Sequence, residues 1–382
     1  MSKYQESLER CQKAINLEQP DRIPVVCKVD PTFAIEYAGF DMKEALWNVD
    51  RIAEAYTKVY EDFYFDGGGY MGRFPLFYKA MESKSFVPND SNGYVQHPEV
   101  SGLDAEEYDE YIADPYKTIV TKVIPRLYPA LAAPGMEGGL NWARAINANS
   151  RIMGKIAAGN AAVAEKYGVP NLRRGVTEAP FDFVADQLRG FSGASMDVRR
   201  HKEQIRLAAE ASIPLMTKLA KLTNPNPGGI ASVFMPLHMP SYMRTKDFET
   251  LYWPSFKALV EGLVADGYTL QIFFEKNWTR YYDFLQDLPK KGVIGYFEED
   301  DLGVVKEKLG KQMCIMGNMP LSILRTGTVQ ECIDTAKAII DKAAPDGGYL
   351  FTTDKSLLTL KDVKPENFKA VNEFVHEYGI YK

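Results

Sequence analysis

Three residues able to move a proton or hold a ligand each stand directly after a short apolar run. His238 follows Ile230–Leu237, Glu275 follows Tyr268–Phe274, and Asp354 follows Gly348–Thr353. An imidazole changes charge near neutral pH, so His238 could be an acid, a ligand or a hydrogen-bonded loop residue. A carboxylate that ends an apolar strand must be solvated, paired or functional, because burying it alone is costly. Asp354 has a second reading, since Asp is also a preferred helix cap. The expectation is that His238, Glu275 and Asp354 look into one cavity and form its catalytic set.

Groups scattered over more than a hundred residues can meet only if regular elements bring their ends together. After Gly228 the chain alternates strand and helix with a steady rhythm. Strand 230–236 precedes helix 246–265, 268–274 precedes 278–287, 293–297 precedes 303–309, 313–316 precedes 329–342, and 348–352 precedes 365–378. Such βα units imply a parallel sheet, and loops after its strands converge on one pocket when the sheet closes. Earlier, Leu8, Cys11, Ala14 and Ile15 form a helical stripe, and Val25–Val29 reads as the first strand after Pro20 and Pro24. Helical regions follow at 45–65, 141–166 and 197–222, the last bent or divided at Pro214. Val176–Pro180 reads as a strand end and 181–191 as a short helix. The Gly67-Gly68-Gly69 triplet lacks the spacing of a phosphate loop and is expected to be a tight turn. The fold expected is α/β, a single (β/α)8 barrel over 1–382, with 1–70 as an N-terminal helical extension plus first strand.

Composition excludes several functions. With 46% hydrophobic and 25% charged residues the chain can bury a large core. Its net charge of −6, with no Lys/Arg run, lacks the basic surface that nucleic acid demands. A polar N-terminus and the absence of a long apolar stretch exclude a membrane partner and point to the cytoplasm. Cys11, Cys27, Cys314 and Cys332 form no CxxC pair and read as buried free thiols. Monomer and homodimer both remain open.

Several segments together resemble the uroporphyrinogen decarboxylase superfamily. They are Glu9-Arg10 with Pro20-Asp-Arg-Ile-Pro24, Met316-Gly-Asn-Met-Pro320 with Leu324-Arg-Thr-Gly-Thr328, and Gly347-Gly-Tyr349 with a closing Glu377-Tyr-Gly379. The resemblance implies a (β/α)8 barrel with extra N-terminal helices, in a group holding porphyrinogen decarboxylases and corrinoid-dependent methyltransferases. The decarboxylases carry Arg-Gln-Ala-Gly-Arg after their first strand, where this chain reads Lys28-Val-Asp-Pro-Thr-Phe33. Without those guanidinium forks an octa-acid has no bidentate partners. The zinc-dependent thiol methyltransferases carry His-x-Cys after the strand that here ends in Glu275, with Phe273 at the His position. Their further Cys falls in Thr352-Thr-Asp354.

Replacing soft thiolates by hard oxygens points away from thiol activation and toward an oxygen substrate. Such an oxygen can be polarised by zinc held at Glu275 and His238, or protonated as it leaves. What the resemblance then implies is the substrate methyltransferase of an O-demethylase. It would take the methyl group of a small aromatic methyl ether of guaiacol or vanillate type and pass it to the cobalt of a corrinoid, cobalamin-like, on a separate partner protein. Alternatives within the resemblance are other methyl donors or acceptors, namely methanol, methylamine, a thiol or a folate, or a porphyrinogen decarboxylase-like protein. Tyr242, Phe273 and Trp278 are the expected walls of an aromatic slot, and Asn318 is expected to orient a water. The acidic run Glu298–Asp301 reads as a solvated loop plus helix start, with metal binding as its rival.

Overall fold

Strands whose side chains alternate between two apolar environments, each followed by a helix, assemble in sequence order into a parallel sheet. The computed structural model describes residues 1–381. Strands β1 (Arg173–Val176), β2 (Ser232–Leu237), β3 (Leu270–Phe274), β4 (Val293–Phe297), β5 (Cys314–Met319) and β6 (Tyr349–Thr353) lie side by side in that order. Two short extended segments complete the ring. Val25 pairs in parallel with Phe351 of β6, Val26 with Gly67, and Gly68 with Asn171 just before β1. Backbone bonds Val26 N–H to Phe351 O, Cys27 N–H to Gly67 O and Leu172 N–H to Gly68 O, each 2.9 Å, hold the closure. The result is the closed eight-membered α/β barrel expected from the sequence.

The period of two along each strand sorts side chains to opposite faces. Ile272, Phe274, Val293, Phe297, Ile315, Tyr349 and Phe351 pack outward in the main core. Ile294, Tyr296, Cys314, Met316, Leu350 and Val26 form a separate inner cluster, with Phe273 against it. That inner cluster is closed from below by helix α1 (Lys3–Ile15), whose Cys11 and Ala14 are fully buried in it. A capping box between Ser2 and Gln5 starts α1, satisfying two of the otherwise unpaired donors of its first turn. The barrel is therefore floored at the N-terminal ends of its strands and open at the other.

Two expectations are corrected here. The glycine triplet is not a turn but the second member of the ring, so the first 70 residues supply two barrel segments rather than one. Glycine is required by close approach. A Cβ on Gly67 would lie 2.2 Å from Leu172 Cδ1, and one on Gly68 would lie 2.4 Å from the Tyr60 hydroxyl oxygen. The region 197–222 is divided, but at His201 rather than at Pro214: one helix spans Phe191–Arg200, and α2 (Lys202–Thr223) runs through Pro214. The ring closure is anchored by Asp66, whose carboxylate accepts from Val25 N–H at 3.0 Å and from Arg10 at 2.5 Å. Arg22 lies at 3.3 Å from the same oxygen that Arg10 reaches, and the Tyr64 hydroxyl donates to it as well.

Candidate active site

His238 is the first residue past β2, and Glu275 the first past β3, so adjacent parallel strands bring the two to the open mouth together. His238 Nε2 lies 3.2 Å from Glu275 Oε1, and His238 Nδ1 lies 2.5 Å from Asp186 Oδ2. The imidazole thus bridges two carboxylates. Its side chain is 39% exposed and that of Glu275 29%, so both reach the solvent side of the mouth. The backbone of Glu275 is pinned at its carbonyl, which accepts from Ser241 Oγ at 2.8 Å and from Trp278 Nε1 at 2.9 Å. The loop carrying His238 is fixed from below by Asp182, which accepts from Met239 N–H at 2.8 Å and from the Tyr252 hydroxyl at 2.6 Å.

These carboxylates set the charge of the ring. Burial works against an imidazolium, but the hydrogen bonds of Asp186 and Glu275 and the charges of Asp182 and Asp186 outweigh it and raise His238 to about 11. His238 is therefore a cation at neutral pH. The acids around it divide. Burial, then the charge of Asp186, pushes Asp182 upward, and the same two causes push Glu178 up to about 8, with His238 opposing both. Glu178 Oε1 accepts from Gln187 Nε2 at 3.0 Å, while its Oε2 is buried without a partner. Glu178 is thus a neutral acid beside a charged imidazole.

Glu178, Asp182 and Asp186 were not singled out from the sequence, yet they carry a signal. They recur every four residues after β1: Asp182 and Asp186 lie in the successive helical turns Pro180–Phe183 and Val184–Arg189, and Glu178 stands in the extended chain just before the N-cap Ala179. Three acids gathered within nine residues past the end of a strand need a cation to meet them. His238 supplies it.

The other expected site residues separate. Asp354 does not share the His238–Glu275 contact; its carboxylate accepts from Leu321 N–H at 3.2 Å, where helix Leu321–Thr326 begins, and burial holds it up at about 6. It lines a different depression with Glu298, Asp300 and Asn318. Trp278 is fully buried, its indole spent on the Glu275 carbonyl, so it positions Glu275 rather than lining a substrate slot. Asn318 donates to the carbonyls of Asp300 at 2.8 Å and Glu298 at 3.3 Å and so braces a loop. Phe273 does face the interior, stacked on Tyr296 at 4.5 Å between ring centres, and Tyr242 stands at the mouth, 67% exposed, edge-on to Phe191.

The acidic run is structural. Asp301 caps the helix Leu302–Leu309, Glu299 pairs with Lys276 at 3.2 Å, and Asp300 accepts from Trp278 N–H at 2.9 Å. Burial favours the neutral form of Glu298, but Lys355 at 2.8 Å and the Lys276 N–H hold it below its ordinary value.

Zinc does not fit these residues. A catalytic zinc takes three protein donors and keeps a fourth position open. His238 spends Nδ1 on Asp186, which leaves Nε2 and Glu275 as two donors, and Asp354 is occupied elsewhere. Among the described residues no group of three or more His, Cys, Asp or Glu is arranged to hold a metal ion, and Cys11, Cys27, Cys314 and Cys332 are buried free thiols.

No curated protein matches the chain. Among solved structures 31 chains do. One of them is a methyltransferase from Methanosarcina mazei, 15% identical, with a TM-score of 0.62 over 97% of this chain and 98% of that one. At that identity the likeness speaks for the fold. The sequence profile described as Uroporphyrinogen decarboxylase (URO-D) matches residues 166–378, more than half of the chain and all six regular strands of the barrel. With strand order, closure and the profile in agreement, the chain belongs to the uroporphyrinogen decarboxylase family.

Proposed function

We propose that this protein is a methyltransferase that takes the methyl group of a small aromatic methyl ether and delivers it to a corrinoid carried by a separate protein. The observation that carries this reading is the His238 imidazolium, held between Asp186 and Glu275 at an open barrel mouth. An aryl ether gives up its methyl group only if the departing oxygen gains a proton. His238 can give that proton from Nε2 as the carbon–oxygen bond breaks, and the product leaves as a neutral phenol. A phenol has a pKa of about 10. An imidazolium raised to about 11 carries its proton at neutral pH, and its acidity lies within about a unit of the phenol's, so the transfer to the departing oxygen is nearly balanced. The corrinoid's reduced cobalt supplies the nucleophile that receives the methyl carbon.

The remaining steps belong to this chain. Asp186 fixes the ring through Nδ1, leaving Nε2 as the working nitrogen. Glu275 accepts a hydrogen bond from Nε2–H in the resting site, and the ring, after giving its proton to the phenol, regains one from solvent with the Glu275 carboxylate favouring the charged form. Phe273, stacked on Tyr296, gives the substrate ring an aromatic wall beneath the pair. The M. mazei methyltransferase of like fold supports the reaction type. Lys28, standing where the decarboxylases carry arginine, speaks against the octa-acid alternative.

The test is direct. Purified protein mixed with a reduced corrinoid protein and a panel of methoxylated rings should form methylated corrinoid, seen by absorbance, and an equal amount of phenol. If no methoxylated ring yields either product, the reading fails.

A further inference from the structure

The turn that follows His238 has two sides. One serves the site, because Ser241 Oγ holds the Glu275 carbonyl at 2.8 Å. The other opens outward into a depression of about 350 Å³, where Tyr242 and Arg244 stand beside Met196, Arg199 and Arg200 of the helix Phe191–Arg200. Among the described residues none of these three arginines has a carboxylate within 4.0 Å or a side-chain hydrogen bond, whereas Arg51, Arg126, Arg189 and Arg206 each meet an acid. The one carboxylate that lines the depression, Asp247, is taken by Lys202 at 2.7 Å. At its edge Glu99 is committed to Ser192 N–H at 2.7 Å. Arg280, on the far side of the turn, donates to the carbonyls of Pro240 at 2.9 Å and Ser241 at 3.2 Å and meets no acid either.

The fold explains only part of this. Arg199 and Arg200 end a helix, where a cation is favoured, but Arg244 stands at the start of the helical run that begins at Thr245, where the dipole disfavours one. Unpaired like charges around one depression repel each other, and in a chain of net charge −6 they make a local positive field aimed at something outside it. Apolar surface lies among them. Met196 is 48% exposed, and the exposed rings of Phe191 and Tyr242 meet edge-on at 5.0 Å between centres. Arginine, tyrosine, phenylalanine and methionine are the residues that protein interfaces concentrate, with arginine and tyrosine among the commonest energetic anchors. A partner seated here rests on the same turn that carries His238 and braces Glu275, so it stands at the barrel mouth.

We propose that Arg199, Arg200 and Arg244, with Phe191, Met196 and Tyr242 among them, form the docking surface for an acidic face of the protein that receives the methyl group. The inference rests on the methyltransferase reading for the identity of that partner, but the surface itself is read by binding. Calorimetric titration of the purified full chain with the corrinoid protein of the same cells, and separately with a short single-stranded oligonucleotide, tests it without turnover.

Binding of the corrinoid protein should weaken at least about tenfold between about 50 and about 300 mM salt. The combined variant Arg199→Glu, Arg200→Glu, Arg244→Glu should bind at least about tenfold more weakly at low salt and lose most of the salt dependence, with circular dichroism unchanged. It should still methylate free reduced cobalamin at the native rate. Affinity indifferent to both salt and the variant overturns the surface, as does an equal loss of transfer to free cobalamin. Tighter binding of the oligonucleotide, lost in the variant, assigns the arginines to nucleic acid and also overturns it. If the combined variant fails to fold, Met196→Glu and the salt dependence of the native chain decide. Salt-sensitive binding of the corrinoid protein, lost in the variant, with no methyl transfer from any methoxylated ring retains the surface and removes the ether chemistry. Methyl transfer whose KM for the corrinoid protein is the same in the variant does the reverse.

Discussion

A charged imidazole clamped by two carboxylates has consequences that can be measured one side chain at a time. Glu275→Gln should lower methyl transfer at least about tenfold, because the neutral amide no longer supports the imidazolium with its charge; an unchanged rate removes Glu275 from the chemistry. Asp186→Asn deletes a hydrogen bond and a negative charge that both raise His238, so its value must fall. The rate of the native enzyme should decline as pH rises toward about 11, and the variant should decline at lower pH; superimposable profiles count against His238 as the acid. Glu178 offers a stability test of opposite sign. Its carboxyl is raised from 4.5 to about 8 by burial, so between those values the folded chain holds a proton that the unfolded chain has released. Native stability therefore falls as pH rises through that window, and Glu178→Gln should remove part of the fall in urea melts at pH 5 and 8.5. His238 and Glu275 were legible in the sequence because a polar residue ending an apolar run stands out. Glu178, Asp182 and Asp186 were not, because acids spaced along a short helical segment look like a solvated face until a cation is placed opposite them.

Among the elements, the strands from β2 onward could be read closely because each is a compact apolar run between helices; 293–297 coincides with β4, and β2 and β3 start two residues later than expected. The two segments that close the ring could not. They contribute isolated pairings rather than long ladders, and one is built of glycine, which carries no periodicity. What holds them is a buried charge cluster. Asp66 is fully buried, and its partner Arg10 has a side chain only 4% exposed. Removing one member of such a pair leaves the other charged and desolvated. Asp66→Ala should therefore cost about 3–5 kcal/mol in chemical denaturation, well beyond an ordinary surface change. A loss under about 1 kcal/mol would mean that the cluster does not anchor the closure.

For the whole molecule, the expected α/β barrel and its family were legible from motifs at both ends of the chain, whereas the function of α1 was not. Its apolar stripe, Cys11, Ala14 and Ile15, reads as any amphipathic helix would; only the assembled ring reveals that it seals the lower end. Deleting residues 1–16 should uncover Cys314, Met316 and Leu350, lower stability by several kcal/mol and produce dye binding typical of exposed apolar surface. A truncated chain that melts like the native one would show the seal to be dispensable. No helix among the described residues is long and apolar enough to cross a membrane.

The sealed floor also dictates an order of events. A tube with a single doorway cannot be loaded from behind once something large stands in front of it. If, as proposed, a macromolecule receives the methyl group, it must arrive after the small reactant is seated and step back before the spent ring can escape, so turnover should follow a compulsory sequence of arrivals and departures.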